Sequence, residues 1–238
     1  MTQLDPQHRA SPEHVVKAWG SLPHHGVIFD FNGTLSDDEP LLLRIYQEMF
    51  EEHLKWRLSP RHYWARLAGR SDREIVEVIV EELAGDDRLL VSRLLAQRRT
   101  RYREMVEEQS PIEPATVELV RLLDARGVPL GIVTGAQRAD VEYVLSRSPL
   151  AGVFDAVVTE EDVGNGKPHP EGFLTGAAAL EVNPEHILVF EDSVPGVRAA
   201  KQAGMSCIAV EGTRERHVLA EVADAVVSRL DPALFRQT

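Results

Sequence analysis

The 238-residue sequence has very little cysteine, a shortage of positive charge and no long apolar segment. Its single cysteine, Cys207, excludes an intrachain disulfide framework and a zinc site built on cysteines. No apolar run approaches the roughly 20 residues that a transmembrane helix needs. Residues 1–20 lack the basic start and apolar stretch of a signal peptide. We therefore expect a soluble, cytoplasmic protein.

The charge balance is strongly acidic. Lys and Arg total 26 against 38 Asp and Glu, which gives a formal net charge of −12. So acidic a chain is poorly suited to electrostatic capture of nucleic acid or of an anionic membrane, and we expect neither partner. Hydrophobic residues make up 43% of the sequence. That content is enough for the core of one domain, or of a domain with an insert.

Short apolar segments alternate with longer stretches of helical periodicity. Each short segment is apolar on both faces and is bounded by Gly, Pro or polar residues, as buried parallel strands are. Strands are predicted at 27–29, 128–133, 153–158, 187–190, 206–210 and 223–227. Helices are predicted between them at 113–126, 137–147, 170–181 and 194–203. This alternation predicts an α/β fold with a doubly wound parallel sheet.

Residues 40–110 interrupt the alternation because they contain no convincing strand. Apolar residues recur there at helical spacing, which predicts helices at 40–55, 60–68, 72–84 and 87–108. We interpret this segment as a helical cap inserted after the first strand. The α/β core then comprises 25–39 and 111–238, and 1–24 form an N-terminal extension with a short helix at 12–19.

Polar side chains directly follow the predicted strands. Asp30 follows the first strand, Thr134 the second, and Glu191 and Asp192 the fourth, while Lys167 lies in the glycine-rich loop after the third. Because ligands of open α/β sheets bind at the carboxyl ends of the strands, we expect these side chains to converge. Carboxylates suit Mg²⁺, and a hydroxyl and an ammonium suit phosphate. In such a site Asp30 can act as a nucleophile that forms an acyl phosphate.

Four short motifs stand at these strand ends: DFNGTL (30–35), VTG (133–135), GKPHP (166–170) and VFEDSVPG (189–196). In order and spacing they resemble the signature motifs of the haloacid dehalogenase-like hydrolase superfamily, over about residues 25–230. The helical insert after the first motif resembles the branch that includes β-phosphoglucomutases and sugar-phosphate phosphatases. The resemblance implies a Rossmann-like core and a cap that closes over a small phosphorylated metabolite.

The resemblance also implies a role for each matched residue. Asp30 would be the nucleophile that attacks phosphorus and would also contact the metal. Thr134 would hydrogen-bond the phosphoryl oxygens, and Lys167 would neutralise the charge of nucleophile and phosphate. Asp192 would bind Mg²⁺ directly, and Glu191 directly or through water.

Three further residues are predicted to bind substrate. Gly135 adjoins Thr134 in the motif that contacts phosphate. Arg70 and Arg73 lie in the cap loop GRSDRE (69–74), where members of this branch often contact the leaving group. For each arginine an ordinary exposed position is the alternative, and Ser71 can equally cap the helix that begins near residue 72.

Position 32 departs from the family pattern. Family phosphatases carry Asp two residues after the nucleophile, where it protonates the leaving alkoxide and then deprotonates the attacking water. Here the residue is Asn32, whose amide has no titratable proton, although its backbone carbonyl can still bind the metal beside Asp30. General acid–base help is typically worth about 10²–10⁴-fold, so hydrolysis of alkyl phosphates should be slow unless another group substitutes.

Four explanations for Asn32 stay open at this point. The first is that the substrate has a good leaving group, and the second is that Glu39 supplies the proton. The third is that the chain is a catalytically attenuated binder of a phosphorylated ligand, and the fourth is that the residue was engineered. A hexose phosphate mutase-like enzyme is disfavoured, because Leu42 stands where such mutases carry His. The main prediction is a Mg²⁺-dependent hydrolase of small phosphorylated metabolites that works through an Asp30 phospho-enzyme, as a monomer or dimer.

Overall fold

The computed structural model describes residues 10–108 and 110–236. Residues 1–9 of the predicted N-terminal extension and Gln109 of the predicted cap lie outside the described residues. Six parallel strands form one sheet in the order β3-β2-β1-β4-β5-β6. They are β1 (Gly26–Phe29), β2 (Leu130–Val133), β3 (Ala156–Val158), β4 (Ile187–Glu191), β5 (Ser206–Val210) and β6 (Ala225–Val227). The predicted doubly wound α/β fold is confirmed.

Strand β1 lies between β2 and β4, where the strand order reverses. Ile28 pairs with Gly131 on one side and with Val189 on the other, and all of β1 is buried. A strand with helices on both faces must be apolar throughout, which explains its sequence. The reversal opens a crevice at the carboxyl ends of β1, β2 and β4, the usual place for a ligand in such sheets.

Three strands begin later than their apolar patterns predict: β2 at residue 130, β3 at 156 and β6 at 225. The Val128 amide donates to the Leu123 carbonyl at 3.2 Å, and the Val153 amide donates to the Leu150 carbonyl at 3.2 Å. Both residues therefore close the turns that follow helices instead of joining the sheet. The Ala223 amide likewise donates to the Leu219 carbonyl, at 3.0 Å. An apolar pattern cannot distinguish a buried turn from a buried strand, which is why the predicted starts at 128, 153 and 223 were wrong.

Helices cover both faces of the sheet. One face packs against α1 (Pro12–Gly20), α6 (Pro114–Ala125) and α7 (Arg138–Ser146). The other packs against α8 (Glu171–Ala179), α9 (Val194–Gln202) and α10 (Arg216–Ala220). Short 3₁₀ helices lie at Glu160–Asp162, Pro184–His186 and Pro232–Phe235. Val27 and Phe29 face the first helical layer and Ile28 the second, as the period of two in a strand requires.

A run of helices lies between β1 and α6, and we call residues 39–108 the helical insert. It contains α2 (Glu39–Leu54), α3 (Pro60–His62), a π-helix (Tyr63–Leu67), α4 (Asp72–Ala84) and α5 (Arg88–Glu108). The predicted helix at 60–68 is therefore only briefly α-helical, since the Ala68 amide donates five residues back to the Tyr63 carbonyl, at 3.0 Å. The insert falls where the cap is predicted, and the domain boundaries stay a prediction.

Two local contacts fix the elements around the site. Ser71 caps α4, because its hydroxyl accepts from the Glu74 amide at 3.3 Å and the Glu74 carboxylate accepts from the Ser71 amide at 3.2 Å. The Trp19 indole of α1 donates to the Gly26 carbonyl at 3.0 Å, which ties α1 to the start of β1. Among the described helices, none has the length and apolar character needed to cross a membrane.

Candidate active site

A cavity of about 430 Å³ lies between the carboxyl ends of the central strands and the helical insert. The sheet positions its floor and one insert loop supplies part of its roof. Every residue that the sequence predicts for catalysis, metal binding or substrate binding lines it, namely Asp30, Asn32, Arg70, Arg73, Thr134, Gly135, Lys167, Glu191 and Asp192. The expected convergence at one edge of the sheet is therefore observed.

Lys167 connects two carboxylates on the floor of the cavity. Its Nζ donates to Asp30 Oδ1 and, at 2.7 Å, to Glu191 Oε1. Both carboxylates are buried, and the Lys167 side chain is 15% exposed. Burial works against the ammonium charge, but the charges of Asp30 and Glu191 raise the Lys167 pKa above its usual value. Lys167 therefore stays cationic beside the predicted nucleophile.

Three buried carboxylates meet next to this lysine. One oxygen each from Asp30, Glu191 and Asp192 lies within 4.8 Å of the others. Burial raises the pKa of Asp30 to about 7, against the charge of Lys167 and together with the charge of Glu191. Burial, with the charges of Glu191 and Asp30, also holds the pKa of Asp192 well above its usual range. A divalent cation fits this set, since it supplies the missing positive charge and prefers oxygen ligands.

Asp192 is held by a residue that we did not predict. The Thr213 hydroxyl, beyond the carboxyl end of β5, donates to Asp192 Oδ2. Gly33 passes against the same carboxylate with a φ of 76°, and a Cβ there would collide with Asp192 and with Thr213. Thr213 could have been found from the sequence, because it follows a predicted strand as the other site residues do.

Glu191 is engaged through both of its oxygens. Oε2 accepts from the Ser193 amide at 2.6 Å and from the Ser193 hydroxyl at 2.9 Å, while Oε1 accepts from Lys167. Ser193 in turn caps α9 by accepting from the Gly196 amide at 3.1 Å. Since both oxygens already have protein partners, the water-mediated form of the predicted metal contact suits Glu191 better than the direct form.

Thr134 lies in the cavity wall directly after β2. It is buried, and its Oγ1 accepts from the Ala136 amide at 3.0 Å. The hydroxyl keeps its proton, which can donate to a phosphoryl oxygen bound in the cavity. The adjoining Gly135 lies against Ser71, so the insert meets the sheet beside this contact.

Glu39, in the first turn of α2, lies on the insert side of the cavity and is 6% exposed. Its Oε2 accepts from the Tyr63 hydroxyl at 2.6 Å. Burial raises the pKa of Glu39 to about 7, against that hydrogen bond and together with the charges of Asp38 and Asp30. A carboxyl with such a pKa can donate or accept a proton at neutral pH. Leu42 lines the cavity as well and offers no titratable group there.

Asn32 is tied to a buried carboxylate. Its Nδ2 donates to Asp38 Oδ2 at 2.7 Å, and the Tyr102 hydroxyl of α5 donates to the same oxygen. Burial raises the pKa of Asp38 to about 6, although the hydrogen bonds from Tyr102 and Asn32 oppose the rise. We did not predict Tyr102, because it lies 64 residues from Asp38 and nothing local marks it.

The two predicted cap arginines lie at the rim. Arg70 and Arg73 line the cavity but are exposed, and Arg73 pairs with Glu77 at 3.5 Å on the surface of α4. Glu160, at the end of β3, is half-buried in the same wall, and burial raises its pKa to about 7. Substrate contact by either arginine stays a prediction.

The comparison with known proteins agrees with this geometry. The haloacid dehalogenase-like hydrolase family matches residues 27–210. The chain belongs to this family. Members of the family generally use a divalent metal, and the carboxylates of Asp30, Glu191 and Asp192 form a cluster that can hold one.

Relatives of this haloacid dehalogenase-like chain include named phosphatases. The (DL)-glycerol-3-phosphatase 1, mitochondrial, of Arabidopsis thaliana is 32% identical over 220 residues, which cover 89% of this chain and 71% of the relative. The phosphorylated carbohydrates phosphatase of Thermotoga maritima is 33% identical over 184 residues, covering 76% and 82%. A solved structure of mutant CbbY from Rhodobacter sphaeroides, in complex with xylulose-(1,5)bisphosphate, has a TM-score of 0.78 at 26% identity and covers 87% and 95%. The chain is therefore an enzyme of the phosphatase type, as its motifs predict.

Proposed function

We propose that the protein is a Mg²⁺-dependent phosphatase of small phosphorylated metabolites and that Asp30 forms its phospho-enzyme. The contact of Lys167 with Asp30 and Glu191, beside Asp192 and beneath the insert, is the observation that carries this proposal. Phosphoryl transfer depends on positioning and charge neutralisation more than on covalent chemistry, and this set supplies both. Sugar phosphates are the substrate class that we favour, since the relative from Thermotoga maritima is named for phosphorylated carbohydrates.

The reaction would proceed in two steps. First, a carboxylate oxygen of Asp30 attacks the phosphorus of the monoester, and the bond between phosphorus and the ester oxygen breaks. Second, water attacks the phosphorus of the acyl phosphate, which releases phosphate and restores the Asp30 carboxylate. Throughout, Lys167 would neutralise charge, and the Thr134 hydroxyl and the Gly135 amide would bind the phosphoryl oxygens.

The carboxylate cluster would hold the cation. Asp30 and Asp192 would contact Mg²⁺ directly and Glu191 through water, together with the backbone carbonyl of Asn32. When bound, Mg²⁺ supplies positive charge to the phosphoryl oxygens. The raised pKa values of Asp30 and Asp192 support this assignment, because burial and the charge of neighbouring carboxylates disfavour the ionised forms, which a bound cation would stabilise.

Glu39 is our candidate for the proton that Asn32 cannot give. Protonated Glu39 would transfer a proton to the leaving alkoxide in the first step, and the resulting carboxylate would take a proton from water in the second. The hydrogen bond from Tyr63 holds the Glu39 carboxyl in the cavity wall, and its pKa near 7 permits both transfers.

A second candidate function is a phospho-ligand binder with slow turnover. The residue at position 32 favours it, because the Asn32 amide has no titratable proton and one of its N–H groups is held by Asp38. A mutase gains no such support, since Leu42 occupies the cavity wall in the place of the mutase histidine.

Steady-state and single-turnover phosphate release with Mg²⁺ tests the proposal. Sugar phosphates, which have poor leaving groups, are compared with aryl and acyl phosphates for the protein and for Glu39→Gln. We expect turnover of sugar phosphates by the protein. In Glu39→Gln the single-turnover release of the alcohol should fall about 10²-fold for sugar phosphates, whereas single-turnover release of the phenol from aryl phosphates should change little, because that leaving group needs no acid. Near-absent turnover on all three classes, with Mg²⁺-dependent binding of the sugar phosphate retained, would instead establish the binder.

A further inference from the structure

A chain of buried hydrogen bonds fixes the orientation of the Asn32 amide. Asp38 Oδ2 lies 2.7 Å from Asn32 Nδ2 and also receives the Tyr102 hydroxyl. An ionised carboxylate can only accept hydrogen bonds, so the amide nitrogen must face Asp38. Asn32 lines the cavity, and no donor among residues 10–108 and 110–236 hydrogen-bonds its Oδ1. That oxygen is the free end of the amide.

Tyr102 is restrained in turn by Arg98, one turn earlier on α5. The Arg98 guanidinium lies 4.5 Å from the centroid of the Tyr102 ring. It pairs with Asp72 of α4 at 3.1 Å and with Asp140 of α7, and only 2% of its side chain is exposed. Helix α5 is thereby tied both to the insert and to a helix that packs on the sheet. Such a buried network holds the Tyr102 hydroxyl at a fixed point above Asp38.

We propose that Asp38 and Tyr102 are positioning residues that pin the Asn32 amide with its carbonyl oxygen toward the cavity, where it accepts a hydrogen bond from the attacking water. This inference rests on the proposed phosphatase function and assigns a further part of the same site. An aspartate at position 32 would place a carboxylate against Asp38 where the amide now donates. The surroundings of Asn32 are therefore matched to an amide, and Asn32 belongs to the mechanism of this chain.

The first test removes the acceptor of this hydrogen bond. With an aryl phosphate, whose good leaving group makes the water step limiting, we expect Asp38→Ala to lower kcat by about threefold to tenfold with little change in KM. Asp38→Asn should keep most of the activity, because its amide oxygen can still accept from Asn32 and Tyr102. Tyr102→Phe removes only the hydroxyl and should lower kcat by less than Asp38→Ala does. Asp37→Ala, at the exposed neighbouring position, is the matched control and should change nothing.

The second test repeats the Asp38 changes in an Asn32→Asp background. There Asp38 opposes a second carboxylate, so Asp38→Ala and Asp38→Asn should raise kcat. Structural damage would lower kcat in both backgrounds, whereas positioning predicts opposite signs for Asp38→Ala. A loss in both backgrounds, or an Asp38→Ala protein that behaves like Asp37→Ala, would overturn the proposal.

Thermal unfolding of the same variants at positions 32 and 38 tests this inference separately from the proposed function. The midpoint of unfolding needs no turnover, and a double-mutant cycle on positions 32 and 38 reports their coupling directly. We expect Asp38→Asn to change the unfolding midpoint in a more stabilising direction when it is made in Asn32→Asp than when it is made in the protein itself. An equal change of the midpoint in both backgrounds would refute the pairing of positions 32 and 38. Absence of phosphate release from every variant would refute the proposed function while leaving this cycle to decide on the pairing.

Discussion

The two sides of the cavity balance their charges in different ways. On the sheet side, Lys167 forms ion pairs with the carboxylates of Asp30 and Glu191. On the insert side Arg98 pairs with Asp72. The carboxyl group of Glu39 in the cavity wall and that of Asp38 behind it accept instead from the hydroxyls of Tyr63 and Tyr102. No arginine, lysine or histidine of the described ranges forms a salt bridge with either of these two carboxyl groups.

The partners of these carboxyl groups indicate what each side of the cavity can bind. Ion pairs and a carboxylate cluster suit the doubly charged phosphoryl group and a divalent cation. Hydroxyls and an amide suit neutral groups, and a carboxyl whose pKa is raised by burial can pass a proton. We therefore place phosphoryl transfer on the sheet side, and the leaving group and the water on the insert side.

Loss of the nucleophile should have the largest effect. We expect Asp30→Asn to lower kcat for every phosphate ester by about 10⁴-fold or more, because an amide cannot form the acyl phosphate. Phosphate release at saturating substrate measures this, with Asp37→Asn as the exposed control. Substantial turnover by Asp30→Asn would exclude a phospho-enzyme on Asp30.

Loss of the sheet-side cation should come next. Lys167→Gln removes the charge that faces the transferring phosphoryl group, and we expect a fall in kcat of about 10²–10³-fold on sugar and aryl phosphates alike. Lys201→Gln, an exposed lysine that pairs with Asp224, serves as the control. A loss confined to sugar phosphates would instead connect Lys167 with the leaving group and break the division between the two sides.

The pH profile tests the insert side. Glu39 has a pKa raised to about 7 by burial and must be protonated to act as an acid. The single-turnover rate with a sugar phosphate should therefore fall as the pH rises above 7, approaching about tenfold per pH unit. The single-turnover rate with an aryl phosphate should not fall above pH 7, and neither should the rate of Glu39→Gln with either substrate. The same fall of the rate above pH 7 in Glu39→Gln would exclude Glu39 as its source.

The smallest effect concerns stability without and with Mg²⁺. The native pKa values of Asp30 and Glu39 are raised to about 7, whereas carboxyl groups in the unfolded chain titrate near 4. Between these values the native state binds more protons, so the unfolding free energy falls as pH rises from about 4 to 7, by about 2 kcal/mol or more, and levels off above 7. Mg²⁺ should make this fall shallower, because it favours ionised Asp30. Urea unfolding across this range measures both slopes, and identical slopes with and without Mg²⁺ would contradict the assigned cation site.

Much of the sheet side could be predicted from the sequence. Asp30, Thr134, Lys167, Glu191 and Asp192 each follow a short apolar segment, and parallel strands bring their carboxyl ends to one edge. The same apolar patterns predicted the strands and the helices of the insert. Local pattern and topology together were therefore sufficient for the floor of the cavity.

The insert side could not be predicted to the same depth. Asp38 meets Tyr102 across 64 residues, and Glu39 meets Tyr63 across 24 residues. Periodicity describes which face of a helix is buried and does not give the partner of a buried polar group. Glu39 could be suggested as a proton donor from its place before the insert, but its pKa depends on the burial that packing creates.

The most direct test of the central claim is peptide mass mapping after an acid quench during turnover of an aryl phosphate with Mg²⁺. We expect a phosphoryl group on the peptide that carries Asp30 in the protein, and none on that peptide in Asp30→Asn. A phosphoryl group on another residue, or steady turnover in the Asp30→Asn protein with no covalent intermediate, would contradict this claim.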